Sequence, residues 1–253
     1  MPGELAGKVA LVTGSGRNIG RAIAVEFAAR GAHVVVNARA NSAQADAVAA
    51  EARALGVGAI AVTGDASRAE TIDRIAGRCA DAFGHGPDIY VSNSAARPVR
   101  PLFEVSADEW QAIVNVQLHA CFLLAQAFAP GMVERGWGRI IHITGPSAFL
   151  GVPHRPHVAA KGAIRGLTKS LAIELGPHGV TVNDVAPGEI AADDDPAVER
   201  GADPRRMAGA TIPVGRVGRP DDIAYVCGFL ASPRAGFYTG TVMVCSGGQW
   251  TTL

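Results

Sequence analysis

Thr13-Gly14-Ser15-Gly16-Arg17-Asn18-Ile19-Gly20 lies between an apolar run, Val9-Ala10-Leu11-Val12, and a segment in which Ile19, Ile23 and Phe27 recur every four residues. The run reads as a short buried strand and the recurrence as a helix. A glycine-rich turn at that junction leaves backbone N–H groups uncovered at the helix's positive end, where a pyrophosphate fits. Gly14 lets the chain turn tightly, and Gly20 lets helix and strand approach closely. Glycine turns join strands to helices in many folds, so the rest of the chain decides whether this one holds phosphate.

Beyond the turn, strand and helix patterns alternate. Ala32–Asn37, Ala59–Thr63, Asp88–Ser92, Arg139–Thr144, Val180–Val185 and Gly240–Val244 read as further strands. Helix-favouring stretches separate them: Ser42–Leu55, Arg68–Phe83, a long region from Ala107 to Val133 broken or kinked near Pro130, and a stripe of Ile164, Leu167, Leu171 and Leu175. Continuously apolar strands are buried on both faces, which implies a parallel sheet with helices on each side. Right-handed crossovers then give an α/β, doubly wound, seven-stranded Rossmann-type sheet in three layers, with its cleft at the strands' carboxyl ends. Residues 1–253 read as a single domain. The polar stretch Glu189 to Pro213 breaks the pattern and is expected to form a flap over that cleft.

Lys plus Arg and Asp plus Glu both number 23, so the net charge is zero and neither a nucleic-acid surface nor an electrostatic membrane anchor is expected. No apolar run is read as a bilayer span, and the N-terminus lacks a signal-peptide pattern. Cys79, Cys121, Cys227 and Cys245 are scattered, which fits small core residues in a reducing, cytoplasmic setting. His142 and His154 are near in sequence, but no carboxylate stands at ligand spacing, so no metal site is expected.

Distinctive residues mark the strand ends. Strand two runs into Ala38-Arg39, where a dinucleotide fold selects its ribose. With no acid at Ala38, and with Arg39 and Arg17 close by, a 2′-phosphate is favoured, hence NADP over NAD. Strand three leads into Gly64-Asp65-Ala66, where Asp65 can accept from an adenine amine. Ser92-Asn93-Ser94-Ala95 ends strand four with small residues that admit a ribose close to backbone. His157 and Lys161 stand one helical turn apart on the face of Ile164.

These residues together resemble the short-chain dehydrogenase/reductase superfamily over nearly the whole chain. The glycine turn matches the family's T-G-x-x-x-G-x-G, with Asn18 in place of the middle glycine and Gly16 available to relieve the same crowding. Ser92-Asn93-Ser94-Ala95 matches its N-N-A-G segment, Asn115 its helix asparagine, and Ala186-Pro187-Gly188 its P-G turn. Ser246-Gly247-Gly248 resembles the V-D-G-G ending. The resemblance implies a nicotinamide cofactor held by Gly14, Ser15, Gly16, Arg17, Asn18, Ile19, Gly20, Arg39, Asp65, Ala66, Asn93, Lys161, Pro187, Gly188 and Ile190. It also implies a homotetramer or homodimer and a small-molecule substrate, whose pocket the flap and the loop Arg97–Leu102 would line.

The active site departs from the family pattern. Y-x-x-x-K is here His157-Val158-Ala159-Ala160-Lys161. Counting back by the family's usual offset places the catalytic serine's counterpart at Thr144; aligning strand five reaches Gly145, with Ser147 further on. The catalytic set is therefore Asn115, Thr144, Ser147, His157 and Lys161. Imidazole can replace phenol as acid or base because its ordinary pKa is about 6.5. It is shorter, so the substrate must sit deeper or a water must bridge, and the Lys161 charge favours neutral imidazole, a base suited to alcohol oxidation. The reading is an NAD(P)(H)-dependent oxidoreductase interconverting a small alcohol and carbonyl. The alternatives are isomerase- or lyase-type proton chemistry in the same cleft, or a catalytically silent cofactor-binding protein.

Overall fold

A computed structural model describes residues 3–96, 98, 101–149, 155–191 and 212–251. Seven parallel strands form one sheet in the order β3-β2-β1-β4-β5-β6-β7. They are β1 Val9–Val12, β2 His33–Ala38, β3 Ala59–Thr63, β4 Ile89–Ser92, β5 Gly138–Ile143, β6 Val180–Pro187 and β7 Val242–Cys245. The long helices between them are α1 Asn18–Ala29, α2 Ser42–Ala54, α3 Ala69–Phe83, α4 Ala107–Val114, α5 Ala120–Glu134, α6 Arg155–Leu175 and α7 Pro220–Ala231. The expected doubly wound, three-layer sheet is what the chain builds.

Alternation along each strand divides the apolar residues between two cores. Ala10, Val12, Val34 and Val36 face α1, α2 and α7, whose Ile23, Phe27, Val48 and Leu230 complete one layer. Leu11, Val35, Ile140 and Val182 face the opposite way, onto Ile75 of α3, Leu124 and Met132 of α5, and Leu175 of α6. Cys79, Cys121 and Cys227 are buried as free thiols.

Several element boundaries differ by a residue or two from the sequence reading. β6 continues to Pro187 because β7 pairs with it as far as Pro187↔Cys245. β2 ends one residue later, at Ala38, so Arg39 emerges directly from the sheet edge. The long helical region is not interrupted at Pro130, which lies inside α5; its missing N–H is opposed by the carbonyl of exposed Gln126, which can turn to solvent. The irregularity falls instead at Asn115–His119, one turn of π-helix in which the Ala120 N–H reaches back five residues to the Asn115 carbonyl. The 28-residue helix Ala107–Glu134 is, by length and composition only, long and apolar enough to cross a bilayer, where the sequence reading found no such run. Its apolar face is instead packed on the sheet through Leu124, Phe128 and Met132.

At the opposite end of the sheet from the glycine turn, Asp88 joins three strands. One carboxylate oxygen accepts from the Val9 N–H at 3.0 Å and the other from Arg135 Nε at 2.9 Å, while the Asp88 carbonyl accepts from the Arg139 N–H. Alanine at Asp88 would leave the buried Val9 N–H without this acceptor and take the carboxylate from the Arg135 guanidinium, which keeps the Pro87 carbonyl. The expected loss is about 2–3 kcal/mol, scaled down because Arg135 is partly exposed. Chemical denaturation would show it as a lowered midpoint at unchanged slope.

Candidate active site

Four neighbouring strand ends are stitched together by polar side chains. Asn93 donates from Nδ2 to the Thr13 and Gly14 carbonyls, both at 3.1 Å, and its N–H donates to Thr13 Oγ1 at 3.0 Å. Ser15 Oγ donates to the Val12 carbonyl at 2.6 Å and accepts from the Asn37 N–H at 3.0 Å. Asn37 Nδ2 then reaches the Val62 and Gly64 carbonyls. These bonds hold the ends of β4, β1, β2 and β3 in register, so a ligand laid across them meets fixed groups. Asn37 escaped the sequence reading; its signal was a lone amide in an otherwise apolar strand.

The cleft so formed encloses about 700 Å³. Gly14, Gly16, Arg17, Asn18, Ile19 and Gly20 line it from the first turn, Arg39 from β2, Asp65 and Ala66 from β3, and Asn93 and Ser94 from β4. Ala38, Asn41 and Gln44 join them, and Val116 closes the far side. α1 begins at Arg17 with no side-chain cap on its first turn. That end of the helix is therefore open to a negatively charged ligand. A Cβ on Gly14 would come within 3.2 Å of Ser94, and one on Gly20 within 2.3 Å of the Gly14 carbonyl oxygen. Gly14 is left-handed at φ +61°, and so is Asn18 at φ +50°. Asparagine is among the few non-glycine residues that adopt this conformation readily, which accounts for its standing where the resembled motif has glycine. Arg17 and Arg39 are exposed at the rim, while Asp65 accepts from the Ser67 N–H and hydroxyl. The set suits a phosphate-bearing ligand.

Pro187, Gly188 and Ile190 lie across the sheet from that cleft, after β6. Gly188 is pressed against Ser246, where a Cβ would meet the Ser246 Cα at 2.7 Å. Ile190 pairs with Gly218 in a parallel bridge and, with Glu189, borders a smaller hollow of about 230 Å³. Residues 192–211 of the expected flap, and residues 97, 99 and 100 of the expected pocket loop, lie outside the described residues, as does His154.

The residues read as catalytic lie after β5, on α6 and on the π-turn that follows α4. His157 and Lys161 are both buried on α6, and Lys161 Nζ donates to the Ile143 carbonyl at the end of β5. Thr144 is buried, and its hydroxyl donates to the Val185 carbonyl of β6 at 3.3 Å. Gly145, at φ +128°, turns the chain into a short 3₁₀ turn, Pro146–Ala148, that carries Ser147. Asn115 opens the π-turn, and its Oδ1 accepts from Gln111 Nε2 at 2.7 Å.

One row deeper, Ser92, His142 and Asp184 are cross-strand neighbours on β4, β5 and β6, all buried. Thr168 of α6 covers them, with Oγ1 2.6 Å from Asp184 Oδ1 and 2.8 Å from His142 Nδ1. Burial pushes the Asp184 carboxyl up to about 6, against the pull of the Thr168 hydrogen bond and of Arg165, Lys161 and Lys169. Burial, with Lys161 adding to it, lowers His142 to about 3, so its imidazole is neutral. None of these three residues was singled out as a polar network from sequence.

Comparison with known proteins gives one consistent answer. Residues 14–249 match the family described as enoyl-(acyl carrier protein) reductase. A 3-oxoacyl-[acyl-carrier-protein] reductase from Synechocystis sp. is 38% identical over 97% of this chain and 98% of its own. An L-rhamnose 1-dehydrogenase (NAD(P)(+)) from Sphingomonas sp. is 34% identical over 98% of each. A solved structure described as an NAD(P)-dependent gluconate 5-dehydrogenase from Beutenbergia cavernae, with NADP bound at low occupancy, is 36% identical. It superposes with a TM-score of 0.86 over 98% of this chain and 99% of that one. With the glycine turn and sheet order described above, these matches establish that the chain belongs to the short-chain dehydrogenase/reductase superfamily of NAD(P)-dependent enzymes.

Proposed function

We propose that this protein is an oxidoreductase that prefers NADP(H), interconverts a small alcohol and its carbonyl compound, and uses His157 as proton relay. The observation that carries the reading is the buried pair His157 and Lys161 at the head of α6, with Lys161 fastened to the end of β5. Bound NADP(H) supplies or accepts the hydride. The α1 N-terminus and the Gly14–Gly20 turn hold its phosphates, and Arg17 and Arg39 answer the charge of a ribose 2′-phosphate. Lys161 orients the nicotinamide ribose. His157 takes the substrate hydroxyl proton on a ring nitrogen during oxidation and returns it during reduction. The Thr144 hydroxyl donates to the Val185 carbonyl of β6 and must turn from it to meet a substrate oxygen; Ser147 is the second hydroxyl residue assigned to the catalytic set.

The assembly is a homotetramer or homodimer in the cytoplasm. Ile173, Tyr225 and Phe237 are large apolar residues exposed on α6, α7 and the segment after it, which suits contact between copies.

Calorimetric titration with NADPH and NADH tests the cofactor assignment directly. NADPH is expected to bind about 10–100 times more tightly than NADH, and Arg39→Ala to remove about tenfold from NADPH affinity alone. Equal affinities, or an equal loss for both cofactors, would overturn the preference. Oxidation of a panel of small alcohols, followed through nicotinamide absorbance, tests the reaction itself; NADP⁺ unchanged across the panel while bound would sink it.

A further inference from the structure

The row beneath the catalytic pair contains a carboxylate for which the reaction as described has no use. Asp184 is fully buried on β6, an interior strand, and its Oδ2 has no hydrogen-bond partner among the described residues. Its Oδ1 accepts from Thr168 at 2.6 Å, within the range of a hydroxyl-to-carboxylate bond. Thr168 has one proton and two acceptors in reach, the Ile164 carbonyl at 3.0 Å and Asp184 at 2.6 Å; donating along the shorter bond, it can only accept from His142, which then carries its hydrogen on Nδ1. The neutral imidazole offers Asp184 no charge. Compensation must therefore come through space, from cations on α6.

Three cations on that helix, Arg165, Lys161 and Lys169, act on Asp184 through space and favour its ionised form. Lys169 is exposed, Arg165 is half-buried with its guanidinium stacked on Phe149, and Lys161 is buried. Lys161 and Thr168 are two helical turns apart, so both project onto the same two strands. Lys161 touches β5 at Ile143, next to His142, while Thr168 touches β6 at Asp184. Opposite charges interact strongly where water is excluded, and a buried cation is costly without such a partner. Titratable groups near Lys161 among the described residues include His157 on its own helix, His142 on β5 and Cys121 on α5, with Tyr90 on β4 behind Cys121. None of them supplies a negative charge near neutral pH.

We propose that Asp184 is a positioning residue: its buried carboxylate is a countercharge that keeps Lys161 protonated and in place for the cofactor ribose and His157. The inference rests on the role given to Lys161 above. Thr168 keeps that carboxylate ionised, and His142 fixes Thr168 in the required orientation.

A double-mutant cycle with Asp184→Asn and Lys161→Met separates this from a merely structural network. In the cofactor-free protein, Lys161→Met should lower the melting temperature more at pH 8 than at pH 5, because the stranded carboxylate is ionised only at the higher pH. The double variant should recover most of that loss; strictly additive effects at both pH values would overturn the pairing. In NADPH titrations, Asp184→Asn should weaken binding about tenfold at pH 8, yet have almost no effect in the Lys161→Met background. Thr168→Val retains the carboxylate but removes its hydrogen bond. Its affinity loss should grow as the pH falls toward 6 and vanish near pH 9, and a flat profile would count against the proposal. If no dinucleotide binds the wild-type protein, the functional reading fails, and the cofactor-free cycle still decides whether Asp184 and Lys161 are paired.

Discussion

Alanine at His157 is expected to lower kcat/KM for alcohol oxidation by about 100- to 10,000-fold, the usual range for loss of a positioned acid or base. NADPH affinity should change by no more than about twofold, because the imidazole acts on the substrate proton and the dinucleotide is held elsewhere. A split of that kind is diagnostic: a fall in both would mean that His157 shapes the cofactor site instead. His157→Tyr provides the converse measurement. A phenol is longer, reaches the substrate oxygen without a bridging water, and is an acid at neutral pH. Carbonyl reduction should therefore rise in the tyrosine variant above the alanine variant. Turnover in His157→Ala equal to wild type would end the assignment.

The second large effect is expected at Gly20. A methyl group there would meet the Gly14 carbonyl oxygen at 2.3 Å, Asn93 Nδ2 at 2.7 Å and the Ser15 Cα at 2.8 Å. Two of those atoms are backbone, and the third belongs to the side chain that binds β4 to the turn. None can yield without moving the phosphate cradle. Gly20→Ala should therefore cost about 2–3 kcal/mol of stability and at least about 100-fold in NADPH affinity. Gly77→Ala is the matched control. It lies inside α3 with nothing within 4 Å of the added methyl, so it should stabilise the fold by as much as about 1 kcal/mol and leave binding unchanged. Thermal melts and NADPH titrations on the two variants would separate a local clash from a general intolerance of substitution.

The sheet was legible because its strands are buried on both faces, so Val34-Val35-Val36 and Ile140-Ile141 announce themselves by apolar continuity alone. The glycine turn was legible because close approach and a sharp reversal each demand a particular residue. Asn18 was read only as a departure. Its left-handed φ shows that the conformational demand stayed where it was and that asparagine meets it. His142, Thr168 and Asp184 were hidden for a different reason. Each occupies an ordinary strand or helix position, and only the register of β5 against β6 and the placement of α6 bring them together. Periodicity reports the direction of a side chain and says nothing of what it meets. The π-turn was invisible on the same ground, since Asn115-Val116-Gln117-Leu118-His119 continues the surrounding helical composition without a break.

That turn makes α4 sensitive to length in a way that it is not to composition. An α-helix advances about 100° per residue, so the extra residue rotates everything on the N-terminal side by that angle relative to α5. Ile113 is buried and Trp110 41% exposed in this phase. Deleting any one residue between Asn115 and His119 would wind the region into a plain α-helix and swing both side chains around the axis, whichever residue was removed. Close relatives of this chain should therefore vary more freely in which amino acids fill that window than in how many.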